Sequence, residues 1–252
     1  MILKALLEQS GSTDVWGDYI PDDSVQQPEN TLENHTKLCW LNQFTALKVD
    51  GPDAERFLQG QLTCNVNDIT TGSVHLGACC NAKGRVVANF VISFDGENYW
   101  LVLPTSSAES LQKHLQKYKV FFKTNIENCS KSHLIFGQWS KGNKGQADYN
   151  AENQQHTLQI TNQRRLLIIN NADSQNNITN SLTKTLFWRL DDINDGIYFV
   201  VDDQIEEWVP QHINWHHLNG VSFSKGCYTG QEIIARLQYL GKAKKALYHY
   251  QG

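Results

Sequence analysis

The chain has 252 residues, 40% of them hydrophobic and 19% charged, with 22 Lys and Arg against 26 Asp and Glu and a formal net charge of -4. That length fits one large or two medium domains, either able to bury a core, and the charge balance argues against a non-specific nucleic-acid binder. No apolar run is long enough to cross a bilayer, and Met1 to Leu7 gives way to Glu8 and Gln9 without the apolar core of a signal peptide, so the six cysteines read as reduced thiols in the cytoplasm.

Residues 1–36 read as a lead-in that is polar from residue 10 onward. A strand with alternating apolar side chains is predicted over 44–49, broken by Gly51-Pro52. Pro52 suits the first turn of a helix through Ala54, Phe57 and Leu58, stopped near Gly60. Strands over 74–80 and 85–94 are joined by Asn81-Ala82-Lys83-Gly84, where Asn and Gly tolerate positive φ. Asp95-Gly96 is a second hairpin signal before a strand over 99–103, and Ala108, Leu111, Leu115 and Tyr118 mark a helix. The Asn- and Gln-rich stretches 141–163 and 170–180 read as surface loops around a strand over 166–169. A helix is predicted over 178–189, then a turn at Asp195-Gly196 and a strand over 197–201. Helices alternating with hairpins make an α+β pattern, divided into a first lobe over 37–140 and a second over 141–252.

The segment 225–240 carries the clearest chemistry. Thr229-Gly230-Gln231-Glu232 fits a capping box, and Ile233, Ile234, Leu237 and Leu240 form one apolar helix face ending at Gly241. Cys227 then lies just before a helix N-terminus, beside Lys225, and both positive features favour thiolate over thiol. On the residues alone, two readings stand: a nucleophilic, redox-active or metal-binding thiolate, or a small buried residue at a tight turn. His212, His216 and His217 cluster nearby, but no carboxylate motif accompanies them, and no metal is assigned.

The same segment, Lys225-Gly226-Cys227-Tyr228-Thr229-Gly230-Gln231-Glu232, resembles the K-G-C-Y-x-G-Q-E signature of the YgfZ family. These are folate-binding relatives of the glycine-cleavage T-protein, linked to maintenance of iron–sulfur enzymes and to tRNA modification. Asp50-Gly51-Pro52-Asp53-Ala54, Phe57 to Thr63, Cys80 to Arg85, Val209-Pro210-Gln211 and Gly220 to Phe223 extend the resemblance over most of residues 40–250. It implies the T-protein folate-binding fold, with packed antiparallel sheet-and-helix lobes around a central hole. It also implies tetrahydrofolate or another reduced folate as cofactor, and iron–sulfur client or assembly proteins as partners of a monomer with no direct nucleic-acid contact. Cys227 would be the functional thiol with Lys225 as its activator. Trp188, Phe44 and Trp40 would be aromatic walls for folate; Arg85, with Lys83 and Arg189, would meet its acidic tail; Gln231 and Gln61 would be polar contacts.

Three departures bear on this. The chain ends at Gly252, so the C-terminal barrel-like domain of longer members is expected to be missing. Phe44 stands where many members carry a Trp, and it lacks the indole N–H donor. Ala88-Asn89 stands where T-proteins carry two acids at the reacting nitrogen, so aminomethyl transfer is the alternative that ranks below a helper role.

Overall fold

Alternation of side chains along extended backbone sorts the described residues into two five-stranded antiparallel sheets and a separate two-stranded hairpin. The computed structural model describes residues 11–13, 17–21, 37–150, 155–172, 182–241 and 243–250. Its first elements are a hairpin of β1 (Gly11–Thr13) and β2 (Tyr19–Pro21), then β3 (Lys37–Trp40), β4 (Phe44–Asp50) and α1 (Ala54–Gln61). There follow β5 (Val74–Cys80), β6 (Val86–Phe94), β7 (Tyr99–Pro104), α2 (Thr105–Tyr118) and β8 (Asn125–Asn128). The remainder is β9 (His133–Trp139), β10 (Ala147–Asn150), β11 (Gln155–Gln159), β12 (Arg164–Asn170), α3 (Thr185–Asn194) and α4 (Gln231–Tyr239).

The first sheet has the order β5-β6-β7-β4-β8 and the second β10-β11-β12-β9-β3. One face of the first sheet, with Leu47, Val49, Phe90 and Leu101, is covered by Phe57 and Leu58 of α1 and Leu111 and Leu115 of α2. Phe57 and Leu58 are fully enclosed at 0% exposure, each worth roughly 1.5–3 kcal/mol of burial. The other face, with Ala46, Val91 and Val102, packs on Cys39, Ile135, Leu166 and Ile168 of the second sheet. β6 is therefore covered on both sides, which explains why its residues are buried nearly throughout and mostly apolar in place of alternation, with Asn89 and Ser93 the polar exceptions.

Several expectations need correction. The stretch 141–163 is not only loop, because β10 and β11 form there, β10 pairing with β11 and β11 with β12. β8 and β9 lie in a stretch without a clear period; β9 is interrupted by Gly137, where a Cβ would sit 2.5 Å from Trp188 Cε3. The second sheet draws β3 and β9 from before residue 140, so the division expected at 140/141 does not coincide with the division between sheets. The helix expected over 178–189 is α3, shifted toward the C-terminus; residues 173–181 and most of the lead-in lie outside the described residues. Residues 197–201 join no ladder. Asn89 stands in for a partner strand there, donating to the Tyr198 carbonyl at 2.7 Å and accepting from the Val200 N–H at 2.8 Å.

Candidate functional site

The end of α1 and the segment 220–231 are stitched together across more than 150 residues of sequence. The last carbonyls of a helix lack intrahelical donors, so a cation there is favourable twice over. Lys225 supplies it: its Nζ donates to the carbonyls of Gln59 (2.7 Å), Leu62 (2.8 Å) and Cys64 (2.8 Å). The side chain is buried, which pulls its pKa down to about 8. Thr229 N–H donates to Gly60 O at 3.2 Å, Ser222 N–H to Thr63 O at 2.8 Å, and the Thr63 hydroxyl to Gly220 O at 2.6 Å. Lys225, expected as the activator of Cys227, directs its ammonium to three carbonyls at and just beyond the end of α1.

The capping box is also corrected. Gly230, not Thr229, occupies the N-cap of α4, with φ 86° and no side-chain cap bond, while the Thr229 hydroxyl turns 3.3 Å from Gln61 Oε1. The reason is the turn between β5 and β6, which packs against it. A Cβ on Gly230 would lie 2.5 Å from Asn81 O and 3.0 Å from Gly84 Cα. Only glycine fits both the left-handed backbone and that contact. Gly230→Ala is expected to lower stability by about 2 kcal/mol or more, measured by urea unfolding; a loss below about 0.5 kcal/mol would show that the turn is not held as described. Three segments that carry the family resemblance, 54–64, 80–85 and 220–232, thus meet at one place.

On that clamped turn Cys227 is exposed, whereas the other five cysteines are buried. Burial pushes the thiols of Cys39, Cys79 and Cys80 far up, and those of Cys64 and Cys129 to about 11. Thiol chemistry at neutral pH therefore falls to Cys227 by access.

A cavity of about 510 Å³ opens where the second sheet, the end of α3 and the segment after it converge. Trp139, at the end of β9, forms its aromatic wall, with Leu76, Ile160, Ile197 and Leu218 as apolar neighbours. Trp139 Nε1 donates to Asp191 Oδ2 at 2.7 Å, and its ring meets Trp188 edge-on at 5.5 Å. Thr161, Asn162, Gln163 and Asn194 supply polar groups, and Lys144 stands among the lining residues. Arg164, 2% exposed, is the buried anchor of the floor. It pairs with Asp192 (2.8 Å) and with Asp195, donates to Trp188 O (3.2 Å), and lies over the Trp188 ring at 4.6 Å. Burial raises Asp192 to about 7 against the opposing pull of Arg164.

The sequence-derived wall residues lie elsewhere. Trp188 is 2% exposed and packed between Gly137, Arg164 and Trp139, so it backs the cavity wall without forming its surface. Phe44 is half-buried and meets Phe199 edge-on at 5.2 Å. Trp40 is buried on the face of the second sheet that points away from the first. Arg85 donates to the Glu207 carbonyl, Arg189 pairs with Asp18 at 2.5 Å, and Lys83 is exposed on the β5–β6 turn. Gln231 opens α4 and is not among the cavity-lining residues. Trp139, Arg164 and Lys144 went unread in sequence; a Trp closing β9 was the one available signal. The rings of His216 and His217 lie 3.9 Å apart, tilted by 37°, but among the described residues no group of three His, Cys, Asp or Glu is placed to hold a metal. Among them, too, no helix is long and apolar enough to cross a membrane.

Comparison with known proteins places these features. The GCVT N-terminal domain model matches residues 5–138. The tRNA-modifying protein YgfZ of Colwellia psychrerythraea (strain 34H) is 34% identical over 241 residues, covering 89% of this chain and 74% of that protein. The protein of the same description from Vibrio vulnificus (strain YJ016) is 32% identical over 225 residues, covering 84% and 69%. Among solved structures, the glycine cleavage system aminomethyltransferase T from Bartonella henselae matches with a TM-score of 0.70 over 94% of this chain and 74% of that one. At 12% identity this is a likeness of fold alone.

Proposed function

Because this chain belongs to the YgfZ family, whose fold is that of the glycine-cleavage aminomethyltransferase, we propose that it binds a reduced folate in the Trp139 cavity and uses Cys227 in a maintenance role toward iron–sulfur enzymes that modify tRNA. The observation that carries the folate part is the cavity itself. Its volume lies in the usual range for small-molecule sites, with one aromatic wall and a few placed polar groups. Folate has a pterin face for Trp139 to stack on and pterin N–H groups for the carboxylate and amide acceptors of Asp191 and Asn194. When bound, a reduced folate carries one-carbon units on N5 of its pterin and N10 of its aminobenzoyl linker. The chain's own contribution is to orient that ring: the hydrogen bond from Trp139 Nε1 holds Asp191 beside the stacking face. The tRNA link rests on the relatives, described as tRNA-modifying proteins, and the iron–sulfur link on the family resemblance of the Cys227 turn.

Aminomethyl transfer is the second reading, and Asn89 weighs against it. Its amide is committed to Tyr198 and Val200, and Ala88 beside it is buried, so neither offers a carboxylate for proton transfer. Calorimetric titration with 5-formyltetrahydrofolate is the direct test. Trp139→Ala is expected to weaken binding about tenfold or more through loss of the stacking wall. Cys227→Ala is expected to bind within about twofold of the parent yet to abolish, in cells that depend on this protein, the tRNA modifications made by iron–sulfur enzymes. Unchanged affinity in Trp139→Ala would remove the cavity from the proposal, and full cellular function of Cys227→Ala would remove the thiol.

A further inference from the structure

The geometry points to a second ligand site, for a small organic cation of the alkylammonium or guanidinium class, in the cavity between the β6–β7 turn and strands β10 and β11, with Asp95 as its counter-charge and His156 as a further hydrogen-bond partner. This cavity, of about 330 Å³, is at the small end of the range for ligand sites. It shares no lining residue with the Trp139 cavity, so the inference stands independently of the folate reading. Its walls come from both sheets and are tied together where they meet. Ala147 N–H donates to Gly72 O (2.8 Å), and Val74 N–H to Gly145 O (2.6 Å).

Charge selects the ligand class. The Asp95 side chain is 10% exposed, and the exposed Asp148 lines the cavity too; among the described residues no Lys or Arg does. Every hydrogen bond to Asp95 comes from a neutral donor. Glu97 N–H (2.8 Å) and Asn98 N–H (2.6 Å) donate to Oδ1; Trp100 Nε1 (2.7 Å) and Asn98 Nδ2 (3.2 Å) donate to Oδ2. Burial opposes ionisation, but these bonds outweigh it and hold the carboxyl below its ordinary pKa. A carboxylate so enclosed is costly without a cation beside it. His156 does not supply one. It is 6% exposed, and burial pulls its pKa down to about 4 against the attraction of Asp95, so the imidazole is uncharged at neutral pH. Its Nε2 stands 4.0 Å from Asp95 Oδ2, beyond hydrogen-bond reach, and its ring nitrogens have no hydrogen-bond partner among the described residues. Ring contacts with Trp100 at 4.5 Å and Tyr149 at 4.3 Å hold it there. A charged N–H donor entering the cavity meets the carboxylate and the imidazole together, with the partly exposed ring of Tyr149 as a cation–π face.

The test titrates the protein with 1,4-diaminobutane and with methylguanidinium at neutral pH and constant ionic strength, against their uncharged counterparts 1,4-butanediol and methylurea. Heteronuclear NMR follows the indole N–H of Trp100, which donates to Asp95 and is assigned from its loss in Trp100→Phe. At least one cation is expected to move this signal saturably, with half-saturation at about 5 mM or below, and neither uncharged counterpart is expected to do so. Asp95→Asn, a residue type that also suits the turn, is expected to weaken binding about tenfold or more. His156→Phe keeps a ring against Trp100 and Tyr149 and is expected to weaken it about fivefold through the lost nitrogens. Circular dichroism checks the fold of both variants; if Asp95→Asn does not fold, His156→Phe decides. No saturable shift with either cation, an equal response to an uncharged counterpart, or parental affinity in either folded variant overturns the inference.

Discussion

Replacing Arg164 with Met is expected to destabilise the protein by about 3–5 kcal/mol at pH 8, a Tm drop on the order of 10 °C. Arg164 is almost wholly buried and holds two carboxylates, of which Asp192 is itself buried and Asp195 partly open to solvent. Removing the guanidinium leaves Asp192 as an uncompensated acid in an apolar site. The pH dependence follows from the direction of its shift. Asp192 stands at about 7 in the folded protein, above its ordinary 3.8, because burial disfavours the charged form. A carboxyl with a raised folded pKa contributes stability that is fully present below its unfolded pKa and lost as pH rises through the folded one. Without Arg164 that folded pKa moves higher still, so the penalty is expected to be smaller at pH 5.5 than at pH 8. Arg164→Met/Asp192→Asn is expected to recover part of the loss, because both buried charges are then gone. Urea unfolding at the two pH values reads all three quantities. A penalty independent of pH would mean that Asp192 is not the group left exposed to the change.

The second large effect is expected at Lys225. Lys225→Met leaves three carbonyls at the end of α1 without their donor and removes the cation from that helix end, a cost of about 3 kcal/mol. Arg is not a conservative replacement, since a planar fork does not match three carbonyls converging on one nitrogen. Loss of the clamp also frees the turn that presents Cys227. The Thr229 amide, bonded to Gly60 O in the intact protein, is therefore expected to lose hydrogen-exchange protection along with its neighbours. Cys227→Ser, two residues away but exposed, is expected to stay within about 0.5 kcal/mol of the parent. That contrast separates a thiol needed for function from a lysine needed for position. If Lys225→Met unfolds like the parent and keeps Thr229 protected, the three hydrogen bonds do not carry the turn.

Features written in short stretches of sequence were legible. The turn at Asn81 to Gly84 and the hairpin at Asp95-Gly96 have Gly84 and Gly96 at φ 69° and 104°, the conformations their residue types favour. α1 begins just after Pro52, and the apolar spacing of α2 puts Ala108, Leu111 and Leu115 in the core. β10 and β11 were hidden because polar Asn- and Gln-rich edges resemble loops until a neighbouring strand accepts their hydrogen bonds. Trp188 illustrates a different limit. A Trp on an amphipathic helix suits a ligand wall and a core equally well by pattern, and the bare backbone of Gly137, more than fifty positions earlier, is what admits it to the core.

By itself, then, the sequence determined the α+β class, the family resemblance, and the one segment in which a cysteine sits between glycines ahead of a helix. Those are local properties, set by residue type, spacing and turn chemistry over a few positions. The tertiary structure alone decided where the charges point. Lys225 reaches Gln59 across 166 positions, Asn89 serves Tyr198 across 109, and Arg164 finds Asp195 across 31. A buried charge or amide takes whichever partner the packing brings within about 3 Å, and sequence adjacency, such as that of Lys225 to Cys227, has no claim on it. For the same reason the cavity is walled by Trp139 at the end of β9, and not by the aromatic residues that a linear comparison singled out.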